Sequence, residues 1–246
     1  MIEFAHQNWD LSVVLLFNKY CGKCIFLDTL SLVFLSVDAL RTAILVALVM
    51  GIWNYAGIKN HINSKKRVLS ILLSIMITLG IIETLNSLVD SPRPIVTYES
   101  QINSPIVTEN TKPLWRDGWV RNTKHGSFPS DTVALLATIA IGIFFWNKLI
   151  GFISILFVII TGILPRLYFG LHYPSDMMLG FLIALSSSLI VEKLKFFDLL
   201  CTKVLNFEKK IPFVFGTLGF YLAYIIADKF ILLRKLPLWL RAMTGH

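Results

Sequence analysis

The chain has 246 residues, of which 55% are hydrophobic and 15% are charged, with a mean hydropathy of +0.69 and a formal net charge of +8. Soluble domains carry nearer a quarter charged residues, so this composition excludes a soluble globular protein and predicts an integral membrane protein. The basic residues lie in loops between apolar stretches and not on one face with stacking aromatics. This distribution argues against a nucleic-acid partner and favours contact with membrane lipid phosphate.

The first 36 residues mix charged and apolar side chains, without an uninterrupted span or a signal-peptide cleavage pattern. They are predicted to form interfacial helices at the membrane surface. Within them, Cys21-Gly-Lys-Cys24 has the spacing of a redox or half-zinc pair, but no second pair or histidine cluster accompanies it. Packing is the favoured role of these cysteines, and a local disulfide is the alternative if the segment faces an oxidising compartment.

About six transmembrane helices are predicted from apolar stretches that are long enough to cross a bilayer. They cover residues 37–56, 68–89, 130–147, 149–166, 174–191 and 213–232. One hydrophobic pattern continues through the chain, so residues 1–246 are expected to form a single domain. The predicted fold class is all-α, a polytopic membrane helix bundle.

Polar residues close the second predicted span and open the third, at positions where charge is costly and usually functional. Asp90-Ser-Pro-Arg93-Pro94 follows residues 68–89, and Gly126-Ser-Phe-Pro129-Ser130-Asp131-Thr132 precedes residues 133–146. The loop between them, residues 91–128, holds four of the nine prolines. A loop of this length is either disordered or functional. Because it joins two polar helix ends, we predict an active-site loop that covers the substrate.

The most informative segment, Arg166-Leu-Tyr-Phe-Gly-Leu-His172-Tyr-Pro-Ser-Asp176, lies at the start of the fifth predicted span. Pro174 suits a first helical position, and a spacing of four residues lets one face of a helix start carry both His172 and Asp176. This pattern fits a carboxylate that fixes the tautomer of an imidazole, whose other nitrogen then acts as a nucleophile. An ordinary capped helix with a satisfied histidine is the alternative interpretation.

Arg93 and Arg166 are candidate phosphate-binding residues, because a planar guanidinium binds two oxygens at once and lysine cannot. Ser130, at a predicted helix start, adds a hydroxyl beside free backbone N–H groups. Two arginines and a helix start together supply fixed positive charge, which suits an anionic substrate such as a phosphate ester. The sequence offers no ligand cluster for a metal, and no cofactor is predicted.

In chain order the three segments contain Arg-Pro, Pro-Ser and Arg-x5-His-x3-Asp. Together they resemble the type 2 phosphatidic acid phosphatase (PAP2) superfamily over about residues 30–190. The signature of that family is Lys-x6-Arg-Pro, Pro-Ser-Gly-His and Ser-Arg-x5-His-x3-Asp. The resemblance implies that His172 attacks phosphorus and forms a phosphohistidine, that Asp176 orients the imidazole, and that no metal takes part.

The chain departs from this signature at three places. Asn86 stands where the family has lysine, Asp131-Thr132 stands where it has Gly-His, and Pro165 precedes the third-motif arginine where it has serine. The family histidine protonates the leaving alkoxide, and a threonine hydroxyl is a poor proton donor. A substrate whose leaving group is already a good anion, such as a diphosphate, is therefore favoured. Alternatively His125 supplies the proton, although a solvated loop residue is the more ordinary role for it. The auxiliary candidates are Asn86, His125, Asp131 and Thr132.

Three functions remain open. The first is a lipid phosphatase that acts on a lipid phosphate or on a polyprenyl or other lipid diphosphate. The second is a lipid phosphotransferase of the same fold, which passes the phosphoryl group to an acceptor hydroxyl. The third is a lipid-binding pseudophosphatase, against which the intact nucleophile and its carboxylate argue. The partner in each case is a membrane lipid, and its identity and the oligomeric state stay open.

The distribution of lysine predicts the orientation of the chain in the membrane. Dense lysine occurs in the loop before the second predicted span and in the loop after the fifth. Such loops are typically cytoplasmic. The motif-bearing ends are then predicted to face the periplasm or the exterior of a bacterial inner membrane.

Overall fold

A computed structural model of the chain describes residues 2–3, 6–106, 108, 109, 112 and 126–227. Its regular structure is almost entirely helical, which confirms the predicted all-α class. In chain order the elements are β1 (Ile2–Glu3), α1 (Asn8–Asn18), α2 (Ile25–Ser36), α3 (Ile44–Ile58), α4 (Ile62–Leu88), β2 (Val89–Asp90), α5 (Pro94–Thr97), α6 (Asp131–Trp146), α7 (Lys148–Val158), α8 (Leu164–Tyr168), α9 (Pro174–Lys193), α10 (Lys195–Lys210) and α11 (Pro212–Ala227). Two π-helical turns, Ala39–Ala43 and Ile159–Ile163, precede α3 and α8.

Four helical stretches of the described chain are long and apolar enough to cross a membrane. They are Leu40–Ile58, Ile62–Leu88, Lys148–Tyr168 and Pro174–Lys193. The predicted spans at 130–147 and 213–232 correspond to α6 and α11, which are apolar but shorter. The described residues therefore do not confirm the predicted count of about six spans.

The boundary between α6 and α7 has a clear local cause. Asn147 leaves the helical conformation, and its side-chain oxygen accepts hydrogen bonds from the backbone N–H groups of Leu149 and Ile150. An asparagine in this role satisfies donors at the new helix start that would otherwise lack partners. The chain thus ends one helix and begins the next without a long loop.

Helix α6 is the centre of the bundle. Every residue from Thr132 to Ile143 is buried, and the helix packs against α4, α7 and α9. A helix that is apolar all round is expected in such a position. The hydroxyl of Thr138 donates to that of Thr78 on α4 over 3.1 Å, which ties the two helices together at a buried point.

The three polar segments meet at one end of this bundle, where α4 ends, α6 begins and α8 passes into α9. The other end is held by ion pairs that connect the start of α4 to the end of α9 and to α10. They join Lys65 to Glu208, Lys66 to Asp198 over 2.7 Å, and Arg67 to Glu192 with one contact of 2.9 Å.

The N-terminal segment packs against the motif-bearing end. Strand β1 pairs in parallel with β2, with Ile2 opposite Val89 and Glu3 opposite Asp90. Helix α1 contacts α8 and α9, and α2 contacts α8. Two helices thus occur where interfacial helices were predicted, and their interfacial location stays a prediction.

The cysteines of this region are unbonded. Cys21 and Cys24 are both free, so the alternative of a local disulfide does not hold in this structure. Cys21 is buried in a cluster with Leu32, Leu35 and Phe169. Burial, with a contribution from the nearby Asp28 carboxylate, raises the pKa of the Cys21 thiol to about 12. A thiol that stays protonated is unreactive, which agrees with a packing role.

Candidate active site

His172 lies in the turn between α8 and α9, with 6% of its surface exposed. Its Nδ1 is 2.9 Å from the backbone carbonyl oxygen of Ser127 and 3.6 Å from Oδ2 of Asp176. Both neighbours are acceptors, so Nδ1 must carry the proton and donate. In a neutral ring this leaves the lone pair on Nε2, which is the form needed for nucleophilic attack.

The surroundings of His172 keep it neutral. Burial lowers the pKa of its imidazole below the ordinary value of 6.5, and the charges of Arg93 and Arg166 lower it further. The Asp176 carboxylate acts in the opposite direction. The burial effect is the largest, so near neutral pH the imidazole is unprotonated at Nε2 and ready to react.

Asp176 is fully buried and is positioned by the start of α9. Its Oδ2 accepts a hydrogen bond from the backbone N–H of Tyr173 over 2.8 Å, a contact that belongs to a capping box. Pro174 occupies the first turn, where its missing N–H costs nothing. The local sequence thus holds the carboxylate beside the imidazole.

The two arginines approach His172 from different helices. Arg93 precedes α5 in an extended conformation, as expected before Pro94, and its Nη1 donates to the Leu171 carbonyl oxygen over 3.4 Å. Arg166 is buried in α8, and its Nη1 donates to the Gly162 carbonyl oxygen over 2.6 Å. A guanidinium carries five N–H donors in a planar fork, which suits each side chain to binding an anion.

Ser130 occupies the N-cap position of α6, beside Asp176. Its backbone N–H donates to the Asp176 carbonyl oxygen over 3.2 Å. Its hydroxyl is buried and has no hydrogen-bond partner among the described residues. A Cβ added at Gly180 would lie 2.9 Å from the Ser130 carbonyl oxygen, so glycine allows α9 and α6 to approach this closely. A buried hydroxyl without a partner, at a helix N-terminus, suits an incoming phosphate oxygen.

The auxiliary candidates have different positions. The Thr132 hydroxyl donates to Oδ1 of Asp131 over 3.1 Å, and the Thr132 backbone N–H donates to the same oxygen over 2.6 Å. Asn86 is exposed on α4. His125, like residues 113–124 of the predicted active-site loop, lies outside the described residues.

Two serines that the sequence did not single out complete the support of His172. The Ser127 backbone N–H donates to the Ser91 carbonyl oxygen over 2.6 Å, and the two hydroxyls are 3.0 Å apart. Gly126 permits this contact, because a Cβ there would lie 3.2 Å from the Ser91 backbone. Hydrogen bonds thus join the first and second motif segments on the Nδ1 side of the imidazole.

His6 and Asp10 from the N-terminal segment also reach this site. Oδ1 of Asp10 accepts from the Ser175 backbone N–H over 3.0 Å, and His6 lies 3.8 Å from Oδ1 of Asp176. The sequence offered one signal for this contact, because Asp10 is a carboxylate in an apolar segment. In the fold Asp10 is 2% exposed. Buried carboxylates of this kind usually have a specific partner.

Comparisons with known proteins address the family and the fold of the chain. The model of the PAP2 superfamily matches residues 67–197. A crystal structure of LpxE from Aquifex aeolicus aligns with a TM-score of 0.55 and 24% identity, covering 79% of this chain and all of that one, which shows a common fold. A search of curated proteins gave no match. The family match spans more than half of the chain and includes all three motifs, so the chain belongs to the PAP2 superfamily.

Proposed function

We propose that the protein is an integral membrane phosphatase that cleaves a lipid phosphate, and preferentially a polyprenyl or other lipid diphosphate, through a phosphohistidine on His172. One observation carries the proposal. Nδ1 of His172 is committed to the Ser127 carbonyl oxygen, so Nε2 is the free nucleophile in a buried site that also contains a carboxylate and two arginines. Family membership supports phosphatase activity, and four apolar helices support a membrane location.

In the first step, Nε2 of His172 forms a bond to phosphorus and the bond from phosphorus to the leaving oxygen breaks. The electron pair leaves with that oxygen, and the imidazole becomes positively charged because Nδ1 keeps its proton. The Asp176 carboxylate, 3.6 Å from Nδ1, stabilises this charge. Arg93, Arg166 and the Ser130 hydroxyl bind the equatorial oxygens of the phosphoryl group.

In the second step, water attacks phosphorus on the side opposite to Nε2 and the bond from nitrogen to phosphorus breaks. The water oxygen becomes part of the inorganic phosphate that leaves. The electron pair of the broken bond returns to Nε2 and restores the neutral imidazole. The released proton passes to the phosphate or to solvent, and the site returns to its starting state.

The position of Thr132 supports the preference for diphosphates. Its hydroxyl donates to the Asp131 carboxylate, and a threonine hydroxyl is a poor proton donor to a leaving oxygen. An alkoxide leaving group needs a proton, whereas the phosphomonoester released from a diphosphate is already a stable anion. The site as built therefore favours cleavage of an anhydride bond.

The proposed lipid substrate enters the site from the membrane, at the end of the bundle that carries the three motifs. Basic residues concentrate at the opposite end, around the start of α4 and along α10. By the positive-inside rule that end is cytoplasmic. The active site would then face the periplasm or exterior of a bacterial inner membrane.

The direct test is release of inorganic phosphate from matched lipid diphosphates and monophosphates by the purified protein in lipid vesicles. We expect release from the diphosphate, a radiolabelled phosphohistidine trapped on rapid quenching, and loss of both signals in His172→Ala. The matched control is His61→Ala, because His61 contacts Ser64 at the opposite end of the bundle. Substantial turnover by His172→Ala would contradict the mechanism. A transferase would instead form phosphohistidine without releasing phosphate, and it would pass the phosphoryl group to an added lipid alcohol.

A further inference from the structure

His6 has unusually specific contacts for a residue near the start of a chain. Its Nε2 lies 2.7 Å from the Ser91 hydroxyl, and its Nδ1 lies 3.2 Å from the Ser175 hydroxyl and 3.5 Å from Oδ2 of Asp10. Its ring stacks on Tyr173 with centroids 3.6 Å apart. The side chain is 9% exposed. These contacts fix both the plane and the rotation of the imidazole.

The same imidazole also faces the catalytic carboxylate. Nε2 of His6 is 3.8 Å from Oδ1 of Asp176, while Oδ2 of Asp176 faces Nδ1 of His172. Oδ1 is buried and has no hydrogen-bond partner among the described residues. The carboxylate therefore stands between two imidazoles, with one oxygen toward each.

A second path connects His6 to His172 through the serines. His6 contacts Ser91, whose hydroxyl is 3.0 Å from that of Ser127, and the Ser127 carbonyl oxygen accepts from Nδ1 of His172. Two groups determine the orientation of the nucleophile, Asp176 and the Ser127 carbonyl. His6 lies 3.8 Å from the first and is connected to the second through Ser91. The five residues form a closed ring that joins the N-terminal segment to all three motifs.

We infer that His6 is a positioning residue for the phosphatase reaction, which holds Asp176 and the Ser91–Ser127 pair so that Nε2 of His172 stays aligned for attack. This inference rests on the proposed function of His172. The N-terminal segment is held firmly enough for the role, because β1 pairs with β2 and Asp10 accepts from the Ser175 N–H. The contacts of His6 with Ser91 and Asp176 involve groups that orient His172, so we expect its effect on alignment and not on substrate binding.

The test compares kcat and KM for His6→Ala, His6→Gln and the control His61→Ala. Misplacement of a reacting group by about 1 Å can cost about 100-fold in rate, so we expect His6→Ala to lower kcat by about 10- to 100-fold. KM should stay within about twofold, since no substrate contact is removed. His6→Gln should lose less, because a glutamine amide can also form a hydrogen bond with the Ser91 hydroxyl. The rate of phosphohistidine formation after rapid mixing should fall by the same factor as kcat.

A double-mutant cycle with Ser91→Ala tests the proposed path. His6 and Ser91 are in contact, so their effects on kcat should be less than additive by more than about 0.5 kcal/mol, or about twofold in rate. If His6→Ala does not fold, reduced kcat at unchanged KM in both His6→Gln and Ser91→Ala supports the inference, and wild-type kcat in both overturns it. A loss that appears in KM alone also overturns it. Failure of the wild-type protein to form phosphohistidine would instead reject the proposed function.

Discussion

Asp176→Asn is predicted to weaken turnover strongly without abolishing it. In many catalytic sites the carboxylate both selects the tautomer of the imidazole and supports its charge. Here the Ser127 carbonyl oxygen, 2.9 Å from Nδ1, selects the tautomer by itself. Only the charge support of Asp176 should therefore be lost when the carboxylate becomes an amide.

The distance between the groups sets the size of this loss. Two unit charges 3.6 Å apart attract by about 4–5 kcal/mol at an effective dielectric constant of about 20. The arginines around His172 and the spread of charge over the ring reduce the share that is realised. We take about 3–4 kcal/mol, which corresponds to a fall in kcat of about 10²- to 10³-fold.

The assay is kcat for a lipid diphosphate, measured for the wild type, Asp176→Asn and His172→Ala in the same vesicles. The asparagine oxygen can still accept from the Tyr173 N–H, so the start of α9 and the thermal midpoint of unfolding should change little. Activity of Asp176→Asn as low as that of His172→Ala would refute the claim that the Ser127 carbonyl oxygen fixes the tautomer. Activity within about threefold of the wild type would refute the charge support.

Three further predictions address the acid range, the phosphate-binding arginines and the leaving group. Protonated His172 has no lone pair for attack, and burial lowers its pKa below 6.5, so kcat/KM should fall in acid with a midpoint below pH 6.5. A pH profile with its acid limb above 6.5 would contradict this. Arg93→Lys and Arg166→Lys should each lower kcat/KM by about 10²-fold, since two-oxygen binding is lost at constant charge, while Arg67→Lys at the opposite end should match the wild type. Thr132→His should raise cleavage of alkyl monophosphates selectively, measured as the ratio of monophosphate to diphosphate turnover, and an unchanged ratio would refute the leaving-group argument.

The proximity of the candidate catalytic residues could be predicted from the sequence because their signals are local. Charged residues at the ends of apolar stretches are visible without knowing the fold, and Arg166, His172 and Asp176 lie within eleven consecutive positions. Helix ends on the same side of a bundle then come together by topology alone. The assignment of Ser130 followed from the same reasoning, since it precedes the first turn of an apolar helix.

Other parts of the site depend on contacts that leave no local signal. The hydrogen-bond acceptor for His172 is the backbone carbonyl of Ser127. Every residue has such a carbonyl, so no signal in the sequence indicated this contact. His6 reaches its partners across 85 and 169 positions of the chain. Asn86 was aligned with Arg93 by spacing, but α4 ends at Leu88 and the chain then extends, so the two residues do not share a helix face.

The contact between Asp10 and Ser175 has a consequence for synthesis of the protein. The two residues are 165 positions apart, and a ribosome adding about 5–20 residues per second takes roughly 8–33 seconds to pass from one to the other. During that interval the N-terminal segment has no α9 to pack against. A nascent chain that stops before α9 lacks Asp176 and the Ser175 N–H that Asp10 contacts, so it cannot assemble the candidate site.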